Sequence, residues 1–209
     1  MLAGGQARRL GGIDKPGIRL GQRSLVGVVV GAALQAGAGR VVVVGPDRPK
    51  LVEELAGAGR VVGRAQIDFA SEHPPGAGPV PALRAGLDVV AEPWMLLLGA
   101  DLPFLTAAAL GDLIKTAGLS CGAVVTDPAG RPQWLVSCWR AADMRAALAG
   151  YAGSSLRGLL EPLPHVDVAA VAVPGAPPYW LDCDTPEDLA SAERLGRHRS
   201  RRSSDDHTR

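Results

Sequence analysis

Met1-Leu-Ala-Gly-Gly-Gln-Ala-Arg-Arg-Leu-Gly-Gly-Ile-Asp-Lys15 opens the chain and places four glycines, two arginines and a lysine in one short stretch. Gly4, Gly5, Gly11 and Gly12 bring no side chain to a core, and they free the backbone for conformations that other residues avoid. Amides left pointing outward at the start of a helix, with Arg8, Arg9 and Lys15 around them, make a cradle for phosphate oxygens. The stretch therefore reads as the seat of a nucleoside triphosphate, the alternative being a glycine-rich surface turn with solvated basic residues. A Walker loop would end in Gly-Lys-Ser/Thr and a dinucleotide fingerprint would read Gly-x-Gly-x-x-Gly; neither pattern is written here. A loop of this kind hangs from the carboxyl end of a central strand. Only Met1, Leu2 and Ala3 precede the glycines, against about five residues in an ordinary strand, so the expectation is that in-frame upstream codons add apolar β-branched residues.

Working outward, Leu25 to Ala36 is apolar and suited to a helix closed by Gly37 and Gly39, and Arg40-Val-Val-Val-Val-Gly45 reads as a buried parallel strand. A short helix over Pro49 to Gly57 and a brief strand over Gly59 to Gly63 follow, and strands alternating with helices predict an α/β fold with one doubly wound, mostly parallel sheet. Ser71-Glu-His-Pro-Pro-Gly-Ala-Gly-Pro-Val-Pro81 is a rigid loop that feeds a helix, and it reads either as a connector or as the wall of a pocket.

Trp94-Met-Leu-Leu-Leu-Gly-Ala-Asp101 is an apolar strand that ends on a carboxylate, the position beyond the strand ends where open α/β sheets hold ligands. Asp101 suits Mg²⁺, a hard cation held by one or two carboxylates plus phosphates; it equally suits a cap on the helix after Thr106. Helices are expected over 107–117 and 141–149, and Gly122 to Trp139 reads as a small antiparallel hairpin. Trp134 in that hairpin is either core or a flat wall for an aromatic substrate. Ser154 or Ser155 would cap the next helix, placing Arg157 where an anionic substrate could meet it. Asp184-Thr-Pro-Glu-Asp is a helix start, with Asp182 two residues earlier on the same strand face as Asp184.

Leu2-Ala-Gly-Gly-Gln-Ala-Arg-Arg-Leu-Gly11 with Asp14-Lys15 resembles the Leu-Ala-Gly-Gly-x-Ser-x-Arg-Met-Gly…Asp-Lys signature of the molybdenum cofactor guanylyltransferase family, with Ala7 for serine and Leu10 for methionine. Asp101-x-Pro and Asp182-x-Asp184-Thr-Pro-Glu-Asp-Leu resemble two further elements of that family, in the same order. The resemblance spans Leu2 to Leu195 and implies a Rossmann-like nucleotidyltransferase domain over residues 1–195, followed by a polar tail, 196–209. It implies transfer of GMP from GTP to molybdopterin, with Arg9, Lys15 and Asp101 as catalytic residues. Leu2, Ala3, Gly4, Gly5, Lys15, His73, Gly76, Gly78, Pro79 and Asp101 would line the nucleotide. Asp101, Asp182 and Asp184 would face Mg²⁺, and Arg131, Trp134 and Arg157 would face the acceptor. His73 falls where the family carries an acid able to take both guanine protons, and an imidazole accepts only one. A sister enzyme using CTP, and a non-catalytic nucleotide-binding adaptor for cofactor insertion, stay open as alternatives.

Composition narrows the classes. With 209 residues and 47% hydrophobic content the chain is long enough for one α/β domain with a full core. The net charge of +1 gives no basic face for nucleic acid, so small substrates are expected, with molybdoenzymes or cofactor-synthesis proteins as further partners. The arginines of the tail are expected to be solvated rather than bound to nucleic acid. Cys121, Cys138 and Cys183 are scattered and odd in number, which fits a reducing cytoplasm, and no run approaches the roughly twenty apolar residues of a membrane span.

Overall fold

The computed structural model describes residues 1–4, 14–57, 65–183, 185 and 187–194. Eight strands and six helices follow in the order β1 (Arg19–Leu20), β2 (Arg23–Ser24), α1 (Leu25–Gln35), β3 (Arg40–Val44), α2 (Lys50–Gly57), β4 (Gln66–Ala70), α3 (Pro79–Val89), β5 (Trp94–Leu98), α4 (Ala107–Ala117), β6 (Gly122–Thr126), β7 (Pro132–Arg140), α5 (Ala141–Gly150), α6 (Leu156–Leu160) and β8 (Val166–Ala169). A last helical stretch covers 187–194.

The β-branched run Arg40–Val44 is the expected buried strand, paired in parallel with β4 from Arg40↔Gln66 to Val44↔Ala70. Beyond the two-residue pair β1–β2, the remaining strands stand in the order β5-β7-β6-β8. The first three residues join the two halves. Leu2 bridges in parallel to Val44 on one side and to Gly99 on the other, with Leu2 donating to the Leu98 carbonyl at 2.8 Å and Ala3 to that of Val44 at 2.7 Å. The short opening segment thus occupies the place of a central strand. Below it, an apolar cavity of about 370 Å³ lies between β3 and β5.

The sheet is mixed. β6 pairs with β8 in parallel, whereas β7 runs antiparallel between β5 and β6. The expected hairpin is therefore no appendage: its second strand is nine residues long and threads the sheet interior, with Val136 to Trp139 buried. Two core clusters cover the two faces, one formed by residues of α1, α2 and α4 and the other by residues of α3, α5 and α6, which is the doubly wound arrangement. β4 and β8 are strands that the sequence reading lacks, and the brief strand expected over Gly59 to Gly63 lies outside the described residues, as does the tail 196–209.

Local chemistry explains the helix ends. Ser24 Oγ accepts from the Gly27 amide to start α1, and Gly37 in the left-handed region ends it, its amide bonding to Leu34 and that of Ala38 to Ala33. α3 and α5 cap each other: Arg84 donates to the Leu148 carbonyl and Arg145 to those of Leu87 and Val90. No described helix is long and apolar enough to cross a membrane.

Candidate active site

β3, the Met1–Ala3 segment, β4 and β5 are mutually parallel, so the segments that follow them converge at one edge of the sheet. Gly4, the loop after Val44, the Ser71–Gly78 loop and Asp101 all meet there. Gly45 lets two of these backbones touch: its φ is +149°, and a Cβ on it would lie 2.8 Å from the Ala3 carbonyl atoms and 2.9 Å from the Gly4 nitrogen.

Lys15 heads a single 3₁₀ turn, Lys15–Gly17, and its Nζ donates to Asp101 Oδ2 at 2.7 Å. The glycine motif and the end of β5 are thereby joined. Asp101 is not the cap of α4. Thr106 takes that role, its Oγ1 accepting from the Ala109 amide at 3.3 Å, so the carboxylate of Asp101 is left for other duty.

The carboxyl-terminal segment docks on the same point. The Cys183 amide donates to the Asp101 carbonyl at 3.2 Å, and Cys183 is buried with Phe104 and Ala192 against Leu20, Leu181 and Leu189. Burial pushes the Cys183 thiol up to about 12, with Asp188 adding to the rise and Lys15 opposing it. The expected helix start is a capping box: Thr185 Oγ1 accepts from the Asp188 amide at 3.1 Å while Asp188 Oδ2 accepts from the Thr185 amide at 2.9 Å. Asp182 precedes this box on the exposed side, and Asp184 lies outside the described residues.

The sequence reading put the base-facing position at His73; in the structure the neighbouring Glu72 lies against Gly4. Glu72 keeps 7% of its exposure, accepts from the Gly76 amide at 3.0 Å, and lies where a Cβ on Gly4 would be 3.4 Å from its Oε1. His73 is exposed, its Nδ1 3.2 Å from the Glu72 carbonyl oxygen. Gly76 and Gly78 have φ of +77° and +109°, and Pro79 begins α3 behind the Gly78 cap.

Among the expected acceptor residues, Arg131 lies at this edge of the sheet, in the β6–β7 turn, where it pairs with the buried Asp127 at 2.8 Å. The Arg131 amide, helped by the Arg131 guanidinium and the Ala129 amide and opposed by burial, holds the Asp127 carboxyl below the usual carboxylate range. Trp134 stands edge-on to His165 with centroids 5.7 Å apart and packs on the α3–α5–α6 core, and Arg157 pairs with Glu161 at 3.0 Å. The structure gathers Leu2, Ala3, Gly4, Lys15, Gly76 and Asp101; Trp134 and Arg157 are engaged with other partners, while Gly5 and Arg9 lie outside the described residues.

Hard oxygen donors at Asp101, with Asp182 one residue from the Cys183–Asp101 contact, suit a divalent cation. Among the described residues no three His, Cys, Asp or Glu side chains converge.

Fold and site together define an open α/β protein whose candidate site lies at the carboxyl ends of its parallel strands. The chain belongs to the molybdenum cofactor guanylyltransferase family: the profile described as a MobA-like NTP transferase domain matches residues 1–168, and a molybdenum cofactor guanylyltransferase of Bradyrhizobium sp. (strain ORS 278) is 31% identical, the match covering 93% of this chain and 91% of that one. Among solved structures, a nucleotidyl transferase from Methanothermobacter superposes with a TM-score of 0.75 at 16% identity, covering 94% of this chain and 95% of that one. The manganese complex of Rv0371c from Mycobacterium tuberculosis does so with a TM-score of 0.62 at 19% identity, covering 92% and 95%. Both likenesses concern the fold.

Proposed function

We propose that this chain transfers the GMP unit of GTP to the terminal phosphate of molybdopterin. An oxygen of the acceptor phosphate attacks the α-phosphorus, the bond from that phosphorus to the oxygen bridging to the β-phosphate breaks, and pyrophosphate leaves with the electron pair. The observation that carries the reading is the 2.7 Å contact of Lys15 with Asp101, which puts a cation and a carboxylate of two separate motifs beside the glycine loop.

The chain's own residues would supply alignment and charge. The Lys15 ammonium would neutralise the outer phosphates as charge builds on the leaving pyrophosphate, with loop amides and Arg9 beside it. Asp101, aided by Asp182 and Asp184, would hold Mg²⁺, which when bound adds positive charge at the triphosphate. Glu72 would read the base: its two oxygens accept, and guanine presents an N1–H and an amine on one edge. Cytosine offers a single amine beside a ring-nitrogen acceptor, which a carboxylate repels, so Glu72 favours GTP over CTP. Arg131, at the same sheet edge, would face the acceptor.

Purified chain supplied with Mg²⁺, molybdopterin and one of GTP, CTP or ATP tests this by pyrophosphate release. Release with GTP alone is expected. Release with CTP instead would transfer the chain to the cytidylyl class, and silence with all three, alongside measurable nucleotide binding, would favour the adaptor.

A further inference from the structure

Arg48 belongs to none of the three motifs. It follows β3, between Gly45 and α2, and both of its terminal nitrogens grip Asp14: Nη1 donates to Oδ2 at 2.6 Å and Nη2 to Oδ1 at 2.5 Å. Its side chain retains 9% of its exposure, whereas Asp14 retains 57%. The grip lowers the Asp14 carboxyl from its ordinary value, chiefly through the hydrogen bonds from Arg48. Beneath it the turn leaves room for a glycine: a Cβ on Gly17 would collide with the Asp14 carboxylate and lie 3.1 Å from Arg48 Nη1.

Stability alone does not account for this arginine. Its Nε is buried and has no hydrogen-bond partner among the described residues, and burying an unpaired donor is unfavourable. An apolar side chain would fill the same space without that cost, while Asp14, being more than half exposed, would simply be solvated. What Arg48 does secure is the residue before Lys15. The turn closes on itself through Gly17 to Asp14 and Ile18 to Lys15, so fixing Asp14 fixes the backbone from which the lysine springs. A lysine reaches its target through a flexible four-carbon stem, and where the ammonium rests depends on where that stem begins. The base of the turn is thus tied to the end of β3 and its tip to the end of β5, on either side of the Met1–Ala3 segment.

We infer that Arg48 is a positioning residue for the nucleotide reaction, acting through Asp14 to set the Lys15 ammonium against the triphosphate. The inference rests on the reading of Lys15 as a phosphate ligand. Arg48→Met, Arg48→Lys, Lys15→Met and the double variant Lys15→Met/Arg48→Met would be compared for GTP binding by calorimetry without acceptor, for kcat and KM, and for thermal midpoint. Arg48→Met is expected to weaken GTP binding and kcat/KM by about 10- to 100-fold with the midpoint unchanged or raised. Arg48→Lys, which keeps the charge but loses the fork, is expected to recover part of that loss. In the Lys15→Met background the Arg48 substitution is expected to add nothing. Effects that multiply in the double variant, a neutral Arg48→Met, or a loss that follows a fall in midpoint would overturn the inference while leaving Lys15 as a phosphate ligand. A Lys15→Met variant that binds and turns over GTP normally would overturn both.

Discussion

Lys15 and Asp101, 86 positions apart, stand 2.7 Å from each other with 12% and 25% of their side chains exposed. A pair so placed is largely withdrawn from water, so the cost of desolvating both charges offsets much of their attraction and the net contribution to stability is small. Its weight falls on chemistry instead, because it sets two oppositely charged groups at the rim where the glycine loop leaves the sheet.

Asp101→Ala is expected to lower kcat by at least about 100-fold, the scale on which transition-state charge stabilisation acts, while the thermal midpoint moves by only a few degrees. Steady-state pyrophosphate release and a melting curve on the same preparation check it. Wild-type turnover would refute the assignment of Asp101.

Glu72→Gln keeps an oxygen for the Gly76 amide, now accepted at 3.0 Å, but replaces the second acceptor by a donor that guanine's edge cannot use. A hydrogen bond to a charged partner contributes about 1.5–3 kcal/mol, so the kcat/KM for GTP should fall roughly 10- to 100-fold, read as the ratio of the variant to the wild type. An unchanged ratio would remove Glu72 from base recognition.

Gly45→Ala puts a methyl group 2.8 Å from the Ala3 backbone at a φ of +149°. Side chains resist both the conformation and the contact, so a loss of about 1–3 kcal/mol in chemical denaturation is expected, together with weakened nucleotide binding because the displaced atoms begin the glycine loop. Destabilisation with binding intact would show that the Ala3–Gly45 contact serves the sheet alone.

The parts of this molecule written in local pattern were legible: the β-branched run of β3, the helix start at Thr185, the proline-led start of α3, and the order of Lys15, Asp101 and Asp182 along the chain. What was not legible depends on partners distant in sequence. β4 and β8 are short, partly buried strands, Gln66–Ala70 and Val166–Ala169, whose identity comes from pairing with β3 and β6 rather than from their own residues. The antiparallel β7 looked like half of a local hairpin, since nothing in it announces that β5 will pair along its other edge. Asp101 taken alone suited a cation and a helix cap equally, and it is Thr106 that caps α4. That Glu72 rather than His73 packs against Gly4 was not legible, because a loop of prolines and glycines gives no periodicity by which to count.

Asp127 gives the fold an acid limit. With its carboxyl held below the usual range by the Arg131 amide, the unfolded chain takes up the proton more readily than the folded one. The stabilisation is therefore complete above about pH 4, the ordinary carboxyl value, and is lost as pH falls through the lower value of the folded state. The gap between the thermal midpoints of the wild type and Asp127→Asn should be constant from pH 7 to 5 and shrink below 4. Parallel curves for the two proteins would mean that the acid limit lies elsewhere.

Leu2 is held between Val44 and Gly99, and this has a bearing on biosynthesis. The strand that carries the glycine loop emerges from the ribosome ahead of both its neighbours, yet it cannot be enclosed until β5, ending at Leu98, has followed it out. Nascent chains shorter than about half the final length therefore have no completed pocket. A ligand held at this edge of the sheet therefore cannot template the stages of folding that precede β5.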